Sequence, residues 1–517
     1  MRNCSEKILI RGVNWLGDAV MTLPAIRSLR IANRNSAISL LLKPSVAPLF
    51  EKDPNIDEVI IYEERFRTLT GKALLSNRLR KKAFSKAFLL QNAFDAALLA
   101  LLAGIPERIG YGRDGRSFML TKPAKFTDDD RKHHHIDYYL NLLRSTGMKA
   151  EYSIPYIFQS LEERLKARES LSKLKRPVLG INPGAAYGSA KRWMPERFAE
   201  VADWFIRDMG GSVVIFGGKN EEYIAHEIEI LAAKNRGNLK EAYQESVIIN
   251  FAGKTSLRQL ISLISECDAL ITNDSGPMHI SYAVGTPLVA IFGSTSPELT
   301  GPPKDGNMVI RSNVSCSPCF KRRCDLDYIK CMDNITTEEV YNALKMIIPR
   351  QRAVFFDRDG TLCEEADYLR RWEDFKLFQD IDGLNKLKNK GFHLIGITNQ
   401  SGVGRGLVEE SFVRDVNKLF IDKYLFDDFF YCPHHPDDHC SCRKPETAML
   451  FKAKTKHLIN LRESYVVGDK DADILLAKAV GAKGILVRTG KQRDSLYADY
   501  TANNLKEAVD YIIEKQL

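Results

Sequence analysis

No stretch of this chain strings together the ~18 apolar residues that a membrane-spanning helix requires. The most apolar segment, Ala96 to Ile105, follows Asp95 and stops at Gly104-Ile105-Pro106, so it is expected as a short buried helix. The N-terminus, MRNCSEKILIRG, has no signal-peptide core, because only Ile8 to Ile10 run before Arg11. The chain is therefore expected in the cytoplasm, with its ten cysteines as reduced thiols or metal ligands rather than disulfides. There is no low-complexity tract and no short repeat. Hydrophobic residues at 44% and charged residues at 27% exclude a disordered chain, a collagen and a coiled-coil rod. Excess charge of one sign is small: 75 Lys+Arg against 66 Asp+Glu gives +9. That admits an anionic substrate or membrane surface and gives no reason to expect a nucleic-acid partner. The first strand is not followed by GxGxxG; its loop is Gly12-Val-Asn-Trp-Leu-Gly17-Asp18, which argues against a dinucleotide cofactor.

What is present is strand, loop and helix, repeated. At ~100–200 residues per domain the length suggests three domains, or two large ones. Lys7 to Ile10, Ser36 to Leu42 and Glu58 to Tyr62 read as strands, and Ala19 to Arg30 as an amphipathic helix. Val178 to Asn182, Ser212 to Phe216, Ala269 to Thr272 and Leu288 to Phe292 are strands of a second block. A third begins with the strand at Ala353, after a polar linker at 349–352. This alternation predicts parallel sheets covered by helices: an α/β chain of two Rossmann-like units, 1–175 and 176–349, followed by an α/β domain over 350–517.

The third block carries the strongest motif. Asp357-Arg358-Asp359-Gly360-Thr361 ends an apolar strand and offers one carboxylate nucleophile and one acid/base two residues on. Asp469, at the end of the strand Val466 to Gly468, adds oxygen for a cation, and Mg²⁺ favours such ligands together with phosphate. Thr398, at the head of the loop Thr398 to Ser401, and Lys444 supply the hydroxyl and ammonium that a developing phosphoryl charge needs. These pieces resemble the four motifs of the haloacid-dehalogenase-type phosphatases. The resemblance implies Asp357 as nucleophile and Asp359 as general acid/base. It further implies Mg²⁺ on Asp357, the Asp359 carbonyl and Asp469, and Thr398 and Lys444 on the phosphoryl group.

A cysteine cluster narrows the branch. Cys432, Cys440 and Cys442 with one imidazole satisfy a closed tetrahedral zinc site. His434 is the fourth ligand chosen, with His435 and His439 as competitors that spacing leaves open. Together with Asn399-Gln400-Ser401 and Arg443-Lys444 it resembles the heptose 1,7-bisphosphate 7-phosphatases. That resemblance puts Arg443 and Lys470, with Asn399, Gln400 and Ser401, on the substrate. The five residues between His434 and Cys440 are fewer than in many of these enzymes. This short form also occurs in histidinol-phosphate phosphatases, so histidinol phosphate or another phosphate ester is the alternative substrate.

In the first two blocks, Asp18 is expected at a cleft edge, where it suits either a helix N-cap or a base. Thr272-Asn-Asp274-Ser275-Gly276 opens a helix, whose N-terminus suits a phosphate, with Gly276 expected to let backbone approach the ligand. Asn182 to Trp193 adds a glycine-rich loop with Lys191 and Arg192. With Ala103 to Gly110, Thr272 to His279 and Pro287 to Gly293, these segments resemble the ADP-heptose:lipopolysaccharide heptosyltransferases, nearest the heptosyltransferase II branch, over about residues 6 to 348. The resemblance implies a GT-B fold and an inverting, metal-independent transfer from ADP-heptose to an inner-core acceptor. Asp18 would be the base, Lys191 and the helix near Asp274-Ser275-Gly276 would hold departing ADP, and His279 and Glu222 would join the nucleotide site. The whole chain is then expected to be a fusion of two enzymes, its second substrate a heptose bisphosphate. One half acting as a non-catalytic recruiting module is the alternative that the presence of Asp18, Lys191, Asp357, Asp359, Lys444 and Asp469 argues against.

Two features stand apart. Cys316, Cys319, Cys324 and Cys331 suit a metal or a set of free thiols. Arg78, Arg80, Lys81, Lys82 and Lys86, expected on one helix, suit peripheral contact with anionic lipid at the inner membrane. His133 to His135 reads as a helix start.

Overall fold

Three six-stranded sheets carry the described residues, 6–128, 130–235, 247–326 and 328–515 of the computed structural model. The first contains β1 (Lys7–Arg11), β2 (Ala37–Leu42), β3 (Glu58–Ile61), β4 (Lys86–Leu89), β5 (Glu107–Tyr111) and β6 (Lys122–Ala124). The second contains β7 (Val178–Asn182), β8 (Ser212–Ile215), β9 (Ile248–Asn250), β10 (Ala269–Asn273), β11 (Leu288–Phe292) and β12 (Asn307–Arg311). The third contains β13 (Arg352–Phe356), β14 (Phe392–Asn399), β15 (Asp428–Cys432), β16 (Tyr465–Gly468), β17 (Lys483–Val487) and β18 (Tyr500–Ala502). Every ladder is parallel. The strands β7, β10 and β11 are buried at every residue, as apolar runs are when helices cover both faces of a sheet.

The spatial orders are β3-β2-β1-β4-β5-β6, β9-β8-β7-β10-β11-β12 and β15-β14-β13-β16-β17-β18, the same doubly wound order three times. In such sheets the chain reverses direction of winding between the first and fourth strands, and the C-terminal ends there open a crevice. The chain separates into two units, Met1–Met346 and Ile347–Leu517. The first holds two sheets, and one apolar cluster drawn from both includes Ile26 and Leu29 together with Met278 and Ile280, while a second lies on the other face of the first sheet. In the second unit successive residues of β13 face opposite sides, with Phe355 in one cluster and Phe356 in another. Burying each such ring stabilises by ~1.5–3 kcal/mol.

Four local expectations are corrected. Helix α1 runs Leu16–Ala32 and starts three residues before Ala19; its N-cap Trp15 has no capping side chain, so Asp18 sits in the first turn and is not a cap. Helix α2 spans Leu69–Lys82 and carries Arg78, Arg80, Lys81 and Lys82, but Lys86 is on β4, where cross-strand packing and an ion pair with Glu6 hold it. Helix α3, Phe94–Leu102, is buried on one face only. The 349–352 linker is part of the second unit, since the Arg350 and Gln351 amides both donate to the Leu458 carbonyl. Helix α4, His135–Arg144, does start at the histidine run, with His134 as its cap. No helix among the described residues is long and apolar enough to cross a membrane.

Candidate functional sites

In the first unit a cleft of about 650 Å³ opens at the C-terminal ends of the strands. The turn after β1 gives it Trp15 to Asp18, the turn after β7 gives Gly184 to Tyr187, and the turn after β10 gives Asp274 to Pro277. Helix α5, Gly276–Ala283, begins in that last turn. The starts of α1 and α5 both border the cleft, each with free backbone N–H groups and about half a positive charge. Glycines set their spacing. A Cβ on Gly17 would stand 2.7 Å from the His279 ring, and one on Gly276 would stand 2.9 Å from Leu16 Cδ2. Gly276 therefore gives room to the first helix, while its own backbone lines the cleft.

Asp18 keeps about a third of its side chain exposed, with His135 Nδ1 3.9 Å from its carboxylate. Lys191 is buried and ion-paired with Asp274, which also accepts from Thr295 Oγ1 at 2.6 Å. The Lys191 ammonium lies 4.7 Å from the centre of the Tyr187 ring. Asp274 thus holds the lysine; a second carboxylate pointing at a diphosphate would repel it. Ser275 accepts from Asn182 Nδ2 at 3.1 Å, a contact set by the register that places Asn182 beside Thr272. His279 is buried, with Nδ1 2.9 Å from the Tyr282 hydroxyl. Burial takes its pKa down to about 4, so the ring lines the cleft in its neutral form.

Glu222 is not in the lining. It opens the helix Glu222–Asn235 and stands against Gly253, where a Cβ would meet its carboxylate at 2.0 Å. The acid in the cleft is its neighbour Glu221, which accepts from the Gly218 amide at 2.8 Å. The sequence signal was the capping geometry: Gly218 and Glu221 stand three apart, as a helix entry requires.

In the second unit Asp357 leaves β13 between β14 and β16. Its Oδ1 lies 2.9 Å from Lys444 Nζ, which also lies 2.6 Å from Asp473 and donates to the Ile397 carbonyl at 3.0 Å. Burial lowers the Lys444 pKa, but the Asp357 and Asp473 charges outweigh it and keep the ammonium charged. Carboxylate oxygens of Asp357, Asp469 and Asp473 lie within 4.8 Å of one another, all buried. Asp473 was not expected; it is four residues past Asp469 in the first turn of α6, Asp471–Val480, and Gly468 leaves room for it. Burial and the Asp357 charge raise Asp469. Burial and Asp357, partly offset by Lys444, push Asp473 up to about 7. Crowded carboxylates of this kind fit a hard divalent cation, whose charge removes the repulsion.

The Asp359 carboxylate is elsewhere. Arg358 grips both of its oxygens at 3.0 Å, and Gln400 Nε2 donates to it at 2.7 Å. Burial favours its neutral form, but the Arg358 charge and these hydrogen bonds hold it below the usual carboxylate range. Gln400 also donates to Thr398 Oγ1 at 2.8 Å, so it links the two motifs. Asn399 clamps the Lys444 backbone through two hydrogen bonds, at 3.0 and 3.3 Å. Ser401 starts the short helix Ser401–Gly404. Lys470 pairs with Glu365 at 3.1 Å and Asp469 at 3.3 Å. Arg443 Nη1 is buried without a hydrogen-bond partner among the described residues, as a group that binds an anion would be.

Cys432, His434, Cys440 and Cys442 converge within 4.8 Å. Sγ–Sγ distances of 3.3 and 3.6 Å bracket no disulfide and come close to the ~3.8 Å edge of a tetrahedral zinc–thiolate site. His435 instead caps its own turn through Nδ1, and neither it nor His439 joins the group. By contrast, no three of Cys316, Cys319, Cys324 and Cys331 come that close among the described residues. Cys331 is buried on a helical turn, Lys330–Asp333, while Cys316 and Cys319 are exposed in the loop before it.

Comparison with known proteins adds the family. The model of glycosyltransferase family 9 (heptosyltransferase) matches residues 73–330, and a HAD-hydrolase-like model matches 441–514. The lipopolysaccharide heptosyltransferase 2 of Salmonella typhimurium is 31% identical over 355 residues, 67% of this chain and 99% of that one. The D-glycero-beta-D-manno-heptose-1,7-bisphosphate 7-phosphatase of Haemophilus ducreyi is 36% identical over 180 residues, 31% of this chain and 98% of that one. The solved ADP-heptose lipopolysaccharide heptosyltransferase II of E. coli superposes with a TM-score of 0.56 at 29% identity, covering 66% of this chain and 98% of its own. The chain belongs to glycosyltransferase family 9, the heptosyltransferases, and carries fused behind it a phosphatase unit of the haloacid-dehalogenase type.

Proposed function

We propose that the first unit transfers heptose from ADP-L-glycero-D-manno-heptose to the lipopolysaccharide inner core. In the same reading, the second unit removes the 7-phosphate of D-glycero-D-manno-heptose 1,7-bisphosphate. The transferase reading rests on Asp18, a part-exposed carboxylate beside two helix N-termini. Asp18 takes the proton of the acceptor hydroxyl as its oxygen bonds to the anomeric carbon. The diphosphate leaves on the opposite side, where the first N–H groups of α5 and Lys191 meet its charge.

The phosphatase reading rests on Asp357 held against Lys444 beside the three-carboxylate cluster. Asp357 attacks phosphorus; Asp359, which has to take up a proton against the hold of Arg358, passes it to the leaving ester oxygen and, as the carboxylate, activates the water that frees phosphate from the aspartyl phosphate. A divalent cation on Asp357, Asp469 and Asp473 would neutralise charge on the transferring group. Lys444 neutralises it from the protein side, Thr398 donates to it, and Arg443 binds the rest of the anion. Zinc on Cys432, His434, Cys440 and Cys442 would fix the loop that carries Arg443 and Lys444, while Asn399 locks its backbone.

The test is phosphate release by the full chain with Mg²⁺ from both anomers of heptose 1,7-bisphosphate, with histidinol phosphate alongside. Preference for the β anomer is expected, as the Haemophilus ducreyi relative is named for it. Preference for histidinol phosphate would overturn the second half and leave the first standing. Release of ADP from ADP-heptose only with an inner-core acceptor present tests the first.

A further inference from the structure

Helix α3 reads FDAALLALL, an apolar run whose inner face, Ala97, Leu99 and Ala100, joins the core. Its outer face is not covered by any of the described residues. Phe94, Leu101 and Leu102 are 46%, 39% and 41% exposed, with Leu98 half-buried between them. Spacing of i, i+4, i+7 and i+8 puts these four on one stripe. Phe118, 77% exposed in the turn after β5, extends it: its ring lies 6.3 Å from that of Phe94. Single exposed apolar residues are ordinary, but a contiguous stripe marks a contact surface.

Helix α2 packs alongside and has five cations, Lys72, Arg78, Arg80, Lys81 and Lys82, and no acid. Arg80 Nη2 donates to the Leu102 carbonyl at 2.6 Å, which fixes a guanidinium at the end of the stripe. Arg78 lies over the Phe66 ring and is exposed, as is Lys81; Lys82 is tied to Glu58 and Lys72 to Asp95. The edge is the right one: β4 neighbours β1, so α3 starts at the edge where Asp18 stands.

We infer that this stripe and its basic flank dock the first unit onto an anionic lipid bilayer, with apolar side chains in the headgroup boundary and the α2 cations on lipid phosphates. A second copy of the chain seated here would bring like cations together, which anionic headgroups neutralise instead. The inference deepens the transferase reading, since a lipid-linked acceptor would then arrive at the cleft edge.

The experiment is flotation of the full chain with phosphatidylethanolamine–phosphatidylglycerol vesicles, against phosphatidylcholine vesicles. Binding to the anionic vesicles only, lost at high salt, is expected. At ~1 kcal/mol per cation, Arg78→Glu with Lys81→Glu should weaken binding by roughly 30-fold or more. Phe118→Glu with Leu101→Glu should abolish it. Both pairs should keep the melting temperature and the phosphate release of the parent. No binding by the parent, or equal binding by both pairs, would overturn the inference. So would light scattering that shows a dimer broken by Phe118→Glu, because the face would then be an interface between copies. Vesicle binding without heptose transfer to any acceptor would sink the transferase reading alone, and transfer to a soluble acceptor without vesicle binding would sink the docking alone.

Discussion

In the first unit the turns after β1 and β10 present a part-exposed carboxylate, two helix N-termini and an aspartate already paired with a lysine from the loop after β7. In the second unit the turns after β13 and β16, the first and fourth strands of a single sheet, present three carboxylates sealed from water around a lysine that comes from beyond β15. The scaffold chooses the place in both, and burial chooses the chemistry. Asp18 can meet an incoming hydroxyl because solvent reaches it. Asp469 is wholly buried beside Asp357, so its charge has to be met by a cation. A doubly wound sheet is thus indifferent to whether its crevice stabilises a leaving diphosphate with peptide dipoles or a phosphoryl group with a metal.

That contrast can be broken most sharply by Asp357→Asn. Phosphate release should fall by ~10⁴-fold or more, with heptose transfer unchanged. EDTA should reproduce this selectivity, and loss of both activities in either case would show that the two sites are coupled. Asp18→Asn should cost heptose transfer on the order of 10²–10⁴-fold in kcat and leave phosphate release alone; a change confined to KM would remove Asp18 from proton transfer. Cys442→Ser sharpens the phosphatase side. One zinc per chain should be lost by metal analysis and phosphate release should drop roughly 10–100-fold, as a supporting shell does. The smallest effect is expected from Gly276→Ala, whose Cβ would press on Leu16. It should destabilise the first unit by ~1–3 kcal/mol, read as a lowered melting transition, with the phosphatase transition unmoved.

Much of this was legible in the sequence, and unevenly. Strands β7 and β11 were read to the residue, because Val178–Asn182 is an apolar run closed by Asn182-Pro183 and Leu288–Phe292 an uninterrupted one closed by Gly293. The start of α1 was not, since Trp15 is no capping residue and nothing before Ala19 signals a helix. Motifs that end strands gave Asp357, Lys444 and Asp469. Asp473 was missed because its role depends on a helical turn folding it back over Gly468. Glu221 and Glu222 are neighbours of identical chemistry, and only the cap on Gly218 decides which one faces the cleft. The thiols show the same limit. Spacing did tell Cys432–Cys442, which suits a zinc site and gathers at the end of a strand, from Cys316–Cys331, which suits a metal or free thiols and is strung along a loop; it left open which histidine completes the first group.

The pairing of Lys191 with Asp274 has a consequence for how a donor finds the first unit. Among the residues that line the cleft, one lysine faces three carboxylates, Asp18, Glu221 and Asp274. Seen from a Debye length away, about 10 Å at moderate salt, such a cleft offers an approaching anion no attraction. Its helix N-termini and its lysine act only on contact. The encounter is therefore diffusive rather than steered, and kcat/KM for ADP-heptose should stay level as salt is raised, where a lysine-lined funnel would lose rate steeply.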